Sequence, residues 1–179
     1  MQFGIGQPVT RKEDPKFLTG RGRYVDDIAF PNMAYAVIHR SIHASARVNA
    51  IDTSAAEAAP GVIAILTGED YASDEMGTIN CGSINPMILK GKANLRPHPA
   101  LVRREVKCVG APLALVVAES VSEATDASEL IVVDYDILPS VTSIHDSRKS
   151  DATVVWEGID DNLAWTFGMG DSARTADAI

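Results

Sequence analysis

Apolar residues occur along this chain in short runs, and glycine or proline bounds most of them. AYAVIHR at 34–40 sets Val37 and Ile38 among small residues, which suits a strand. RVNAID at 47–52 alternates apolar and polar positions and also suits one. Asp52, Thr53 and Ser54 then offer a helix cap, TSAAEAA forms a brief helix, and Pro60-Gly61 stops it. VIAILT at 62–67 reads as a buried strand, and Thr67 before Gly68-Glu69-Asp70 opens a single helical turn with acids at its positive end. EVKC at 105–108 is a further strand. PLALVVAE at 112–119 is so apolar that it predicts cover on both faces. Ser120 or Ser122 caps a helix over VSEATDASEL, whose inner stripe is Val121, Ala124, Ala127, Ser128 and Ile131. VVDYDIL at 132–138 puts Val133, Tyr135 and Ile137 on one face and Asp134 and Asp136 on the other. A strand–helix–strand unit over 112–137 is the clearest local pattern.

Three stretches lack periodicity. Residues 1–20 read as an irregular lead that lies on another surface, and 72–100 as a long loop of the kind that is functional or disordered in compact domains. Residues 145–179 are acidic and mostly irregular, with Trp156, Trp165 and Phe167 as possible anchors. Strands outnumber helices and are not regularly separated by them, which favours an α+β domain over a doubly wound sheet. No internal repeat is visible.

Composition adds limits. A chain of 179 residues with 46% hydrophobic and 22% charged residues buries a core without disulfides or metals. Net charge is −8, which argues against a nucleic-acid surface. The acidity belongs to residues 120–179, with 12 Asp/Glu against 3 Lys/Arg. A solvated acidic face is the expectation there, and a patch for a basic partner the sharper alternative. Cys81 and Cys108 are too few for a four-thiolate metal or iron–sulfur site. The opening residues lack an apolar signal core and no run approaches the ~20 residues that span a bilayer, so a cytoplasmic protein with reduced thiols is expected.

Each candidate for chemistry has a plainer reading. His39 and His43 have the spacing that brings ligands together on a helix, but here they fall on a strand and its turn, and a third ligand is not evident. His98 is a loop residue between Pro97 and Pro99, and His145 beside Asp146 reads as a surface pair. Gly20-Arg21-Gly22-Arg23 resembles a phosphate cradle, yet a turn before a strand at Tyr24 is the simpler expectation. Asp26-Asp27 belong to a turn. Asp134 and Asp136 share a face, and in the polar face of an amphipathic strand they are solvated. Cys108 is expected as an inert small core residue. Taken from residues alone, this is an acidic α+β domain with no catalytic, cofactor-binding or metal-binding residue to nominate.

Two ordered runs carry a resemblance. From Gly20 to Tyr71 come GRGRYVDD, RSIHASA, IDTSAAEA, PGV and TGED; from Val109 to Ser140 come VGAPLALVVAES, EATDA and VDYDILP. Asn162 and Gly170-Asp171 fit the continuation. This set resembles the molybdopterin-binding large subunit of the xanthine dehydrogenase, aldehyde oxidase and carbon monoxide dehydrogenase group. It departs from that pattern at Ile42, where proline is usual, at Ser45, where a second histidine is usual, and at Asp146-Ser147, where Asp-Ala is usual sooner after Pro139. The resemblance implies an α/β-hammerhead: a mixed sheet with a few short helices. It divides the chain into an irregular lead at 1–19, the hammerhead at 20–145, and an acidic linker with the start of a next domain at 146–179.

The resemblance also implies function. The intact subunit would oxidise an aldehyde, a heterocycle or a similar small molecule with water-derived oxygen. A molybdopterin-type molybdenum cofactor would sit in that subunit, with [2Fe–2S] clusters and FAD on partner subunits or domains. The residues that contact the cofactor, and the glutamate base, lie downstream of Ile179 in that group. DSARTADAI reads as a helix cut partway. The chain alone is therefore expected to be non-catalytic. It would scaffold the molybdenum domains and meet an iron–sulfur subunit and possibly a flavin subunit, through the 72–100 loop and the RSIHASAR turn. The alternative is a stand-alone interaction module or split non-catalytic subunit.

Overall fold

The structure, a computed structural model, describes residues 6, 8–79, 89–90, 93–94, 96, 98–167 and 170–178. Two compact units divide at Met33 and Ala34.

In the first unit, α1 (Asp14–Leu18) starts on a Pro15 placed in the first turn, where a missing N–H costs nothing. Asp14 accepts from the Arg11 backbone N–H at 3.2 Å and pairs with its guanidinium. The Phe17 and Tyr24 rings stack with centroids 5.3 Å apart. The lead is thus less irregular than expected, because a helix this short needs a start signal and no apolar period. No strand begins at Tyr24. A single 3-10 turn at Val25–Asp27 follows it, and the Asp27 carboxylate accepts from the Tyr24 N–H at 2.8 Å.

The second unit contains β1 (Tyr35–Arg40), β2 (Ala46–Asp52), α2 (Ser54–Glu57), β3 (Val62–Thr67), α3 (Gly68–Ser73), β4 (Leu89–Lys90), β5 (Glu105–Val106), β6 (Pro112–Ala118), α4 (Val121–Glu129), β7 (Val132–Ile137), α5 (Ile144–Ser147), β8 (Thr166–Phe167) and α6 (Ser172–Ala178). Two three-stranded sheets have the orders β1-β6-β3 and β5-β2-β7, and β4 pairs with β8. The elements expected between residues 34 and 137 are present, and the α+β hammerhead class holds.

Their assembly is what the pattern did not reveal. β6 and β7, the two strands of the 112–137 unit, belong to different sheets. α4 lies over the first sheet, where Ala124, Ala127 and Ile131 meet Ala114, Val116 and Ala118. Its cap is Ser120, whose hydroxyl accepts from the Glu123 N–H at 3.2 Å. A second cluster joins Ala46, Val106, Ala111 and Leu113, and Ile51 and Val133 pack against both clusters. Where β1 meets β6, His39 pairs with Ala114 but Arg40 pairs with Pro112. The extra residue is Leu113, a bulge. It lets Leu113 and Ala114, adjacent in sequence, both reach buried clusters.

Two glycines answer to geometry. Gly61 has φ +72°, and a Cβ there would run into the Glu123 carboxylate. At Gly68 a Cβ would sit 2.5 Å from the Val102 carbonyl oxygen and 2.9 Å from Arg103 Cα. Only glycine lets α3 approach that backbone. As expected, Thr67 opens α3: its N–H and hydroxyl both donate to the Asp70 carboxylate at 2.7 Å.

Three expectations fail locally. Ile137 is 70% exposed although its face is the inner one, because it ends the strand where the sheet's cover ends. Cys108 is exposed, not core. β5 stops at Val106, so Cys108 stands in the turn before Gly110. The strand at 112–118 is covered on one face only, since Leu115 and Val117 remain partly open.

Candidate functional site

The most built part of the molecule outside the core is the turn between β1 and β2. Ser41 is a buried serine, 2% exposed. Its N–H donates to the Ala111 carbonyl at 2.9 Å, its carbonyl accepts from the Gly110 N–H at 2.8 Å, and its hydroxyl accepts from the His43 N–H at 3.1 Å. Arg40 donates to the Gly110 carbonyl at 2.8 Å. Every polar group of Ser41 is therefore satisfied, as burial requires. Sequence reading saw this turn as a contact surface and missed its lock, because the partner turn lies seventy positions away.

The two histidines of that region separate. His39 on β1 points inward, with Nδ1 3.0 Å from the Ser128 carbonyl oxygen and 3.3 Å from its hydroxyl. His43 meets the Tyr135 ring edge to face, at 4.8 Å between centroids. They meet different neighbours, and among the described residues neither joins a group that could hold a metal. Asp134 and Asp136 are exposed, and Asp136 lies 3.8 Å from Arg47.

A cleft of about 850 Å³ runs between β2 and the start of α3, with Val102–Glu105, Lys107 and Trp156 as its further walls. Two of its carboxylates are each held by a cation. Arg103 donates to Glu69 at 2.7 Å, and Lys107 donates to Glu105 at 2.5 Å while standing 5.6 Å from the Trp156 ring centre. The Arg103 hydrogen bond holds the Glu69 carboxyl below its ordinary range, and the Thr67 hydroxyl and N–H do the same for Asp70. Both groups are thus kept ionised, the reverse of what a general acid needs. A second hollow of about 480 Å³ is lined by Asn94, Arg96, His98, Trp156, Asn162 and Trp165, among others. Arg96 Nε is buried there with no hydrogen-bond partner among the described residues.

Asn162 organises the acidic tail. Its carbonyl accepts from the Val155 N–H at 2.8 Å, and its amide donates to the carbonyls of Thr153 at 2.9 Å and Ser147 at 3.3 Å. Asp146, beside His145, is held below its ordinary range by Lys149 and then by Ser143. Gly20-Arg21-Gly22-Arg23 leads into the 3-10 turn, and Arg21 Nε donates to the Thr19 hydroxyl at 3.1 Å.

Among the described residues no three His, Cys, Asp or Glu side chains converge as a metal site, and no helix is long and apolar enough to cross a membrane. The described donor set does not fit an iron–sulfur cluster, for Cys108 stands alone in an exposed turn. Cys81, Phe167's side chain and much of the 72–100 loop lie outside the described residues.

Residues 19–139 match the family described as aldehyde oxidase and xanthine dehydrogenase, a/b hammerhead domain. The chain is similar to the carbon monoxide dehydrogenase large chain of Afipia carboxidovorans, 35% identical over 165 residues, which covers 92% of this chain and 19% of that one. It is 37% identical to the nicotine 6-hydroxylase large subunit of Paenarthrobacter nicotinovorans, over 82% of this chain and 17% of the relative. Quinoline 2-oxidoreductase from Pseudomonas putida 86 superposes with a TM-score of 0.73 at 34% identity, over 89% of this chain and 20% of that one. The chain spans about a fifth of the length of these relatives.

Proposed function

This chain belongs to the aldehyde oxidase and xanthine dehydrogenase family, as its hammerhead domain, and from that premise we propose that it is the structural front part of a molybdenum-dependent hydroxylase or dehydrogenase. Residues 20–145 form the hammerhead proper, 1–19 its lead, and 146–179 the link toward the molybdenum-binding part. The parent enzyme oxidises an aldehyde, a heterocycle or another small molecule. Its molybdenum cofactor, iron–sulfur clusters and flavin are held outside these 179 residues. This chain supplies no catalytic step. It scaffolds the molybdenum-binding part and meets an iron–sulfur subunit, with the rigid turn at 40–47 and the 72–100 loop as contact surfaces. The free, exposed Cys108 thiol supports a reducing compartment, the cytoplasm.

The observation that carries this reading is the extent of the match: over nine-tenths of this chain aligns, against about a fifth of the relative. The site's chemistry supports it, since Glu69 and Glu105 in the cleft are held by Arg103 and Lys107. Replacement is the test. This chain is put in place of the matched residues of the Afipia carboxidovorans carbon monoxide dehydrogenase large chain. The chimera is expected to accumulate as a soluble protein and to retain measurable carbon monoxide oxidation, while the isolated chain shows neither turnover nor bound metal. Stoichiometric molybdenum or iron on the isolated chain would overturn the reading.

A further inference from the structure

The register of the first sheet defines its outer face. Ala36 pairs with Val117 and Val117 with Ala64; Ile38 pairs with Leu115 and Leu115 with Leu66. Directly paired residues share a face. Val37, Val62 and Ile65 pack against the core on the other side, so these two rows point away from it. All six positions are apolar. Ile38 and Leu66 are 39% and 43% exposed, and Ile63, the bulged residue of β3, is 58% exposed. The adjoining turns, tied by Ser41 and Gly110, carry the exposed Ile42 and Val109. The second sheet is built otherwise. Its outer rows pair Arg47 with Asp136, Ala50 with Asp134 and Asp52 with Val132, with Glu105 beside Arg47.

A sheet with one face in water alternates apolar with polar residues, and one covered on both faces does not. By that rule the second sheet suits water, and the first shows no cover among the described residues of its own unit. Three strands about 4.8 Å apart, with two rows of side chains, present on the order of 200–300 Å². That is well short of the ~800 Å² per partner that a stable interface of two copies needs. It suits one patch of a larger contact. Relatives carry about four-fifths of their length beyond the matched part.

We infer that the outer face of the β1-β6-β3 sheet is the surface on which the molybdenum-binding remainder of a large subunit seats. The inference rests on the proposed function and adds to it the face that is used. Labelling of a chain whose own cysteines are replaced (Cys81→Ser, Cys108→Ser), read at the labelled peptide by mass spectrometry, tests it. Ile38→Cys and Asp134→Cys are compared for thiol-labelling rate in the isolated chain and in the full-length chimera described above. The Ile38→Cys rate is expected to fall at least tenfold in the chimera, and the Asp134→Cys rate to change less than twofold. Equal rates at Ile38→Cys in both proteins overturn the inference and leave the family role standing. Protection of Ile38→Cys that grows with concentration of the isolated chain assigns the face to a second copy and also overturns it. A chimera that fails to accumulate beside a parent that does overturns the family role and the docking together. Thermal melting of the isolated chain supplies an independent check. Leu115→Gln is expected to lower the midpoint less than half as far as Leu113→Ala. An equal or larger drop would make the outer face part of the chain's own core, against the inference.

Discussion

The two three-stranded sheets share a core yet differ on their outer faces. Across β1, β6 and β3 the outer rows are Ala36–Val117–Ala64 and Ile38–Leu115–Leu66. Across β2 and β7 they are Arg47–Asp136, Ala50–Asp134 and Asp52–Val132, with a charged residue in every row. β2 and β7 match β1, β3 and β6 in length and antiparallel pairing, though β5 has only two residues, so the difference between the long strands is not one of secondary structure. It lies in what each face is made to meet: water on the second sheet, apolar cover on the first.

The largest expected effect separates two leucines of one strand. Leu113 is fully buried and Leu115, two positions on, is half-buried on the outer face. Leu113→Ala should cost the isolated chain about 3 kcal/mol, from lost transfer energy and the cavity left behind. Leu115→Ala should cost about 1 kcal/mol or less, as removal of a partly exposed side chain leaves no closed cavity. Urea denaturation of the two variants measures both, and equal losses would erase the distinction between the faces.

Ser120→Ala comes next. It removes the cap of α4, which covers the inner face of the first sheet, and should cost about 1 kcal/mol. Hydrogen exchange should show β1 and β6 losing protection before β7. Uniform loss would mean that the two sheets open as one unit.

Acid should act on the first sheet's edge. Asp70 caps the helix that follows β3, and its folded-state pKa is lowered by the Thr67 hydroxyl and N–H. A lowered folded pKa means a contribution present above the unfolded value, near 4, and lost as pH falls through the folded one. Melting midpoints should therefore hold from pH 7 to about 5 and fall below ~4. Asp70→Asn should flatten part of that fall. The smallest effect belongs to the second sheet's face: Arg47→Ala breaks an exposed pair at 3.8 Å and should change stability by no more than about 0.5 kcal/mol.

Local elements were legible because their signals are local. Val62–Thr67, the Ser120 cap and the Thr67 turn each rest on residues within a few positions of one another. The paired strands Leu89–Lys90 and Thr166–Phe167 were not legible, since two residues hold no period and their partners lie far apart. The same holds for Ser41, a serine in a turn by sequence and a buried tie between two turns in space. The resemblance to a family, carried by ordered motifs from Gly20 to Pro139, named the domain where composition and spacing reached only an acidic α+β fold.

The sequence by itself determined the long strands at 35–40, 46–52, 62–67, 112–118 and 132–137, the helix starts at Thr67 and Ser120, and the unusual apolarity of the 112–119 strand. Tertiary structure alone decided that β6 and β7 part into different sheets, that Leu113 bulges inward, and which rows lie outside the core. Alternation is a property of a few adjacent residues and survives in the bare chain. Sheet partnership is a choice among distant strands with similar patterns, and it is settled only when burial of one shared core favours one pairing over the others.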